Sequence, residues 1–173
     1  THYHSSMNTF TLLGRVVVLL FLSVPIFASG SDKSDSESDI QTLIQKAKAH
    51  TFKDLKKALY FTNLAETKAK NSGQSEKLFR INQVRGWCFE NNNQPDSAAH
   101  FYGKALDYAV DFENEKEQLE AFSDLAVIAR RQTNYSESKN YRLKALEIAE
   151  NLNDTQALAV TYHGLGTLYK EVG

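Results

Sequence analysis

From Asp39 to Gly173 apolar residues recur at helical spacing, separated by polar stretches. Ala58, Phe61, Ala65 and Ala69 fall at i, i+3, i+7 and i+11, which puts them on one face of an α-helix. The stripe returns 40 residues later as Ala98, Phe101, Ala105 and Ala109, and again as Ser138, Tyr141, Ala145 and Ala149. A second set keeps the same offset on a preceding helix: Gly86, Ala126 and Gly166, followed three residues on by Phe89, Ala129 and Tyr169. Six registers agreeing at one offset mark an internal repeat, and a repeat sets the architecture before any local feature does.

Each unit therefore reads as a helix A and a helix B joined by a short polar turn. Small residues on the stripes let two helix backbones approach closely, and the aromatic fills the groove beside them. The pattern predicts helices over about 39–50, 54–71, 75–91, 95–112, 115–132, 136–151 and 155–171, with no credible strand. Asn91-Asn92-Asn93-Gln94-Pro95 and Thr133-Asn134-Tyr135-Ser136 punctuate the units internally, Pro95 being suited to a first helical turn. Asn71-Ser72-Gly73 and Asn151-Leu152-Asn153-Asp154 supply stops and caps between units. Ser38 with Gln41 forms a candidate capping box for the first helix. Lys46 stands where later units have Gly86, Ala126 and Gly166, so the first unit is atypical, as a capping unit is expected to be.

Composition agrees with an all-α chain. Of 173 residues only 2 are Pro and 8 are Gly, and the recurring Ala, Leu, Glu, Lys and Gln lose little freedom in a helix. The formal net charge of −1 gives no general pull towards nucleic acid or an anionic surface. A single cysteine, Cys88, closes no intrachain disulfide, so packing alone must hold the fold.

The N-terminus has a different character. From Met7 a short polar region ends at Arg15, followed by the 12-residue apolar run Val16 to Phe27, well short of the roughly 20 residues a spanning helix needs. Ala28-Ser29-Gly30 and an acidic, serine-rich stretch follow. This is the layout of a secretory signal, residues 1–30, cleaved near Ala28 to Gly30, with a flexible Ser/Asp-rich linker over 31–38. An uncleaved membrane anchor is the alternative.

The repeats resemble the tetratricopeptide (TPR) family. Tyr162-His163-Gly164-Leu165-Gly166-Thr167-Leu168-Tyr169 looks like the first helix of such a unit. Asn134 to Leu146 and Asp96 to Leu106 look like the second. The likeness covers residues 39–173. Its one departure is length, since 40 residues replace the usual 34; longer variants of this kind occur in bacterial regulators. The resemblance implies a right-handed superhelix of antiparallel helix pairs, an α-solenoid of about 3.5 units. It also implies that helix A of each unit lines a concave, ligand-binding face. The second unit would then present Arg80, Gln83, Trp87, Glu90 and Asn91. The third would present Glu120, Ser123, Val127, Arg130 and Arg131, and the fourth Val160, His163, Thr167 and Lys170. Trp87 would anchor an apolar side chain while Arg130, Arg131 and Lys170 meet an acidic group. Gln83 and Trp87 occupy the places of the family's carboxylate-clamp Lys and Asn, so chaperone C-termini are not the expected ligands.

Catalytic and metal readings lack support. The histidines His2, His4, His50, His100 and His163 form no i, i+4 pair, and no cysteine pair stands near them. His100 beside Phe101 and Tyr102 reads as a groove or surface residue, and Cys88 beside Trp87 as a small packed one. No cofactor is expected. The expected partner is a protein or peptide, with no nucleic acid through this region and a membrane only through the signal or a downstream segment; the oligomeric state stays open. Helix A of a fourth unit has no helix B before Gly173, which suggests a chain that continues. The expected role is the extracytoplasmic sensing or scaffolding part of a longer bacterial signalling protein, a histidine kinase or a helix-turn-helix regulator. A self-contained periplasmic scaffold, or the interaction region of an enzyme with its catalytic part beyond Gly173, are the rivals.

Overall fold

The computed structural model describes the backbone of residues 30–173 and the side chains from Glu37 onward. The expected signal segment, apart from Gly30, lies outside the described residues. Among those described, seven α-helices follow one another: α1 (Gly30–His50), α2 (Leu55–Asn71), α3 (Leu78–Asn91), α4 (Pro95–Asp111), α5 (Glu115–Arg131), α6 (Tyr135–Asn151) and α7 (Thr155–Val172), with one 3-10 turn at Ser75–Lys77 ahead of α3. Each packs on its neighbours in sequence through tight turns, so the pairs run antiparallel, and α1 also touches α3, as α3 touches α5. The result is an all-α array of stacked hairpins, an α-solenoid. No helix among the described residues is long and apolar enough to cross a membrane.

The turns repeat twice as often as the side chains. Gly73, Asn93, Glu113, Thr133 and Asn153, at intervals of 20, all have positive φ, between 50° and 68°. Each is followed by a residue whose backbone N–H reaches back into the preceding helix: Gln74 to Ala69 at 2.8 Å, Gln94 to Phe89 at 2.9 Å, Asn114 to Ala109 at 2.9 Å, Asn134 to Ala129 at 2.9 Å and Asp154 to Ala149 at 3.0 Å. This left-handed closure satisfies carbonyls that a helix end would orphan. The carboxylate or amide oxygens of Asp54, Asn114, Asn134 and Asp154 then accept from the first turn of the next helix. Glycine and asparagine suit such a backbone, whereas a β-branched residue is strained in it by about 1–2 kcal/mol. Thr133 stores that strain. From Gly73 onward, like backbone turns every half unit leave side-chain size to distinguish helix A from helix B.

Small residues sit where the 40-residue pattern requires. Ala58, Ala98 and Ser138, then Ala65, Ala105 and Ala145, then Ala69, Ala109 and Ala149 are all at most 1% exposed. Gly86 and Ala126 are buried likewise. The flat face of the Tyr102 ring lies directly on Gly86, so that a methyl group there would overlap it, and Ser138 Oγ donates to the Ala126 carbonyl at 2.8 Å. Phe89 stacks on Phe101 with ring centroids 5.2 Å apart. Gly166 departs from its counterparts. It is exposed with nothing within 4 Å of a built Cβ, and Tyr169, the counterpart of Phe89, is 53% exposed.

Two expectations for the first unit need correction. Helix α1 begins at Gly30, so the stretch 31–38 is helical rather than a linker. Ser38 is inside the helix, its carbonyl accepting from Thr42 Oγ1 at 2.9 Å, and does not head a capping box. The segment contains no proline or internal glycine, its acidic residues favour a helix N-terminus, and ion pairs tie it down: Lys77 to Glu37 at 2.6 Å, and Lys68 to Asp39. Lys46 is exposed, with its ammonium 5.9 Å from the centre of the Phe61 ring. The buried small residue of α1 is Ala47 next to it.

Candidate functional site

Because equivalent first helices stand side by side, residues one unit apart meet across the array. Arg80 Nη1 on α3 donates to Glu120 Oε2 on α5 at 2.8 Å. Gln83 Nε2 donates to Glu120 Oε2 at 3.1 Å and to Asp124 Oδ2 at 2.8 Å. Arg80 also bonds Gln83 one turn along its own helix. These contacts form one floor of polar groups between α3 and α5. Burial pushes the Asp124 carboxyl up to about 7; the Gln83 bond opposes the rise, and the charges of Glu90 and Glu120 add to it.

Above this floor opens a groove of about 430 Å³ lined by Gln83 and Trp87 of α3, Leu119, Glu120, Ser123 and Asp124 of α5, and Asp154, Gln156, Ala157 and Val160 at the start of α7. Trp87 is half-buried. It packs against the cluster of Tyr102, Leu125 and Ile128 and also walls a second cavity of about 430 Å³ with Lys48, Thr51, Phe52, Glu90 and Asn91. The Lys48 ammonium lies 5.4 Å from the centre of the indole, and Phe52 beside it is 82% exposed. Trp87 is thus a core residue along one edge and a wall of open space along the other. Large aromatic groups in such positions are the usual anchors of interfaces.

The expected ligand-facing residues divide. Gln83, Trp87, Glu120, Ser123 and Val160 line the first groove, while Glu90 and Asn91 line the second. Asn91 uses its amide nitrogen on the Trp87 carbonyl at 2.8 Å. Arg80 faces a smaller cavity with Glu117 and Lys77. Val127, Arg130, Arg131, His163, Thr167 and Lys170 lie off both grooves. The two arginines expected to receive an acidic group already hold one. Arg130 pairs with Glu171 at 2.8 Å, and Arg131 with Glu90 at 3.1 Å. The cation over Trp87 is Lys48 rather than Arg130. Thr167 turns its hydroxyl back onto the His163 carbonyl at 3.0 Å.

Asp124, Tyr102 and Asp154 were missed by the sequence reading. Tyr102 is fully buried on α4, its hydroxyl donating to Glu90 Oε2 at 2.6 Å, and burial raises its phenol above the ordinary range. The available signal was the spacing of Glu120 and Asp124, four apart and hence on one helix face.

No family model matches the chain, and no curated protein matches its sequence. Among solved structures it is similar to BtubC (BKLC) from P. vanneervenii, with a TM-score of 0.50 and 19% sequence identity, over 79% of this chain and 66% of that one. The chain therefore spans just under two thirds of the length of BtubC, and at this identity the likeness concerns the fold alone.

Proposed function

We propose that this chain is a protein- or peptide-binding module of the tetratricopeptide kind, taking an extended segment into the groove between α3, α5 and α7. Trp87 holds an apolar side chain of that segment, and Asp124 and Asp154, neither of them in an ion pair among the described residues, face a cationic one. The observation that carries this reading is the only tryptophan of the chain standing half-buried between two open cavities, with the carboxylates of Asp124 and Asp154 beside one of them. The acidic ligand expected from Arg130 and Arg131 gives way to a basic one at this groove, because those arginines are already neutralised.

Peptides selected on the immobilised protein are expected to carry an aromatic or aliphatic residue close to Lys or Arg. Their binding should change the Trp87 emission, and Trp87→Ala should weaken it by about 2 kcal/mol or more, roughly thirtyfold. The same titration carries a pH dependence. A bound cation favours ionised Asp124, so its pKa falls on binding and a proton leaves; affinity therefore rises with pH through the neighbourhood of 7, where Asp124 titrates. Selected peptides that bind Trp87→Ala as well as the parent would remove the reading.

We further propose that the module works outside the cytoplasm, a reading that the layout of residues 7–30 supports. Sequencing the mature N-terminus after expression in a bacterial host tests this. A cytoplasmic product still starting at Met7 would dismiss it.

A further inference from the structure

The junctions between successive units are built on the same positions with opposite charge. At the first, among α3, α4 and α5, Tyr102 bonds Glu90, Glu90 pairs with Arg131, and Asp124 stands close by. Advancing each position by 40 gives the second junction, among α5, α6 and α7: Tyr102 becomes Arg142, Glu90 becomes Arg130, Arg131 becomes Glu171 and Asp124 becomes Gly164. The ion pair survives with its polarity reversed, as Arg130 to Glu171 at 2.8 Å. The tyrosine–carboxylate bond does not survive, because two arginines now stand where it was. The carboxylate of Asp124 has no successor.

Among the described residues Arg142 is consequently a cation without a counter-ion. It is 7% exposed and makes no hydrogen bond or ion pair with any described residue. Its Nε is enclosed and unpartnered, and its guanidinium lies over the bare Cα of Gly164. Burial first, and the like charge of Arg130 second, depress its basicity. A buried donor without an acceptor costs about 1–3 kcal/mol, and more when it is charged. A buried arginine normally has a partner, as Arg85 here has Glu66 at 2.6 Å and Asn63 at 2.7 Å. We propose that the α5/α6/α7 junction is a carboxylate-binding site, in which the Arg142 guanidinium, lying over Gly164 where the preceding unit has Asp124, receives an external carboxylate. A guanidinium offers paired donors in the geometry of a carboxylate, which makes this the best-matched anion. The source of the carboxylate, an acidic side chain or the C-terminus of a bound peptide, rests on the groove reading; the chemistry of the site does not.

The test follows the arginine Nε–Hε resonances of the full chain, labelled with ¹⁵N-arginine, during titration with sodium acetate against sodium chloride of equal ionic strength. The expected result is a saturable shift of the Arg142 signal with acetate alone, lost in Arg142→Met. That variant should remain folded, since an apolar side chain of similar length replaces an unpaired buried charge, and acetate should raise the melting temperature of the parent but not of the variant. N-acetyl-trialanine with a free C-terminus, its amide, and an amidated peptide containing one glutamate then distinguish the two sources. An Arg142 signal indifferent to acetate, or arginine signals all drifting together, would overturn the site while leaving the Trp87 groove untouched. A saturable acetate shift would uphold the site even if Trp87→Ala had removed the groove reading.

Discussion

Ala105→Glu is expected to unfold much of the array, lowering stability by about 3–5 kcal/mol, which a urea titration followed by circular dichroism would measure. Ala105 on α4 is 1% exposed and sits among Phe79, Ala109 and Ala121, where α3, α4 and α5 meet. A glutamate there must either bury a charge without a partner or force the helices apart, and both routes are costly. Hairpins in such an array contact only their neighbours, so damage at α4 interrupts the coupling between the α1–α2 pair and the α5–α6 pair. An exposed site on the same helix, such as Lys104→Glu, changes charge without burial and should stay within about 0.5 kcal/mol.

The second large effect concerns Tyr102 and Gly86. Tyr102 is the largest fully enclosed side chain among the described residues, and its ring fills the space over Gly86. Tyr102→Ala should cost about 3–5 kcal/mol through the lost transfer energy and the cavity left behind. Gly86→Ala approaches the same contact from the other side. The added methyl meets the flat ring rather than the end of a flexible chain, and overpacking of about 1–3 kcal/mol exceeds the roughly 1 kcal/mol gained in helix propensity. In the Tyr102→Ala background the methyl has room, so Gly86→Ala should there be stabilising. Gly103, in the interior of α4 with nothing within 4 Å of a built Cβ, is the control: Gly103→Ala should add roughly 1 kcal/mol. A double-mutant cycle in thermal melts reads all three, and additivity between Gly86 and Tyr102 would contradict the contact.

The small-residue stripes were legible in the sequence because close helix packing admits no substitute for small size. Every residue of the 58, 65 and 69 registers, Ser138 included, is buried in all three units. The turns were legible because Asn, Gly and Pro have few other reasons to cluster. The start of α1 was misread for a physical reason: Ser and Asp promote both loops and helix N-termini, and only the ion pairs of Glu37 and Asp39 with distant lysines decide between them. Trp87 was found at the groove because a lone tryptophan on a first helix has few places to go. The pairing of Arg130 and Arg131 was missed, although Glu171 and Glu90 each lie 41 residues away, one unit and one residue along. Charge pairs at that offset are visible only once the helices are known to stand side by side. The 62, 102 and 142 register escaped because threonine, tyrosine and arginine share no property that a search for self-similarity would detect. The structure puts them at one kind of junction and gives each a different polar neighbourhood.

A crystal structure of the chain with a selected peptide would show whether ligand lies across the first helices of successive units, against Trp87. Peptide density is expected to run across α3, α5 and the start of α7, with an apolar side chain against the Trp87 indole and a cationic one within hydrogen-bonding reach of Asp124 or Asp154. Density seated on the outer faces of α2, α4 and α6, with Trp87 and its cavities unchanged, would contradict it.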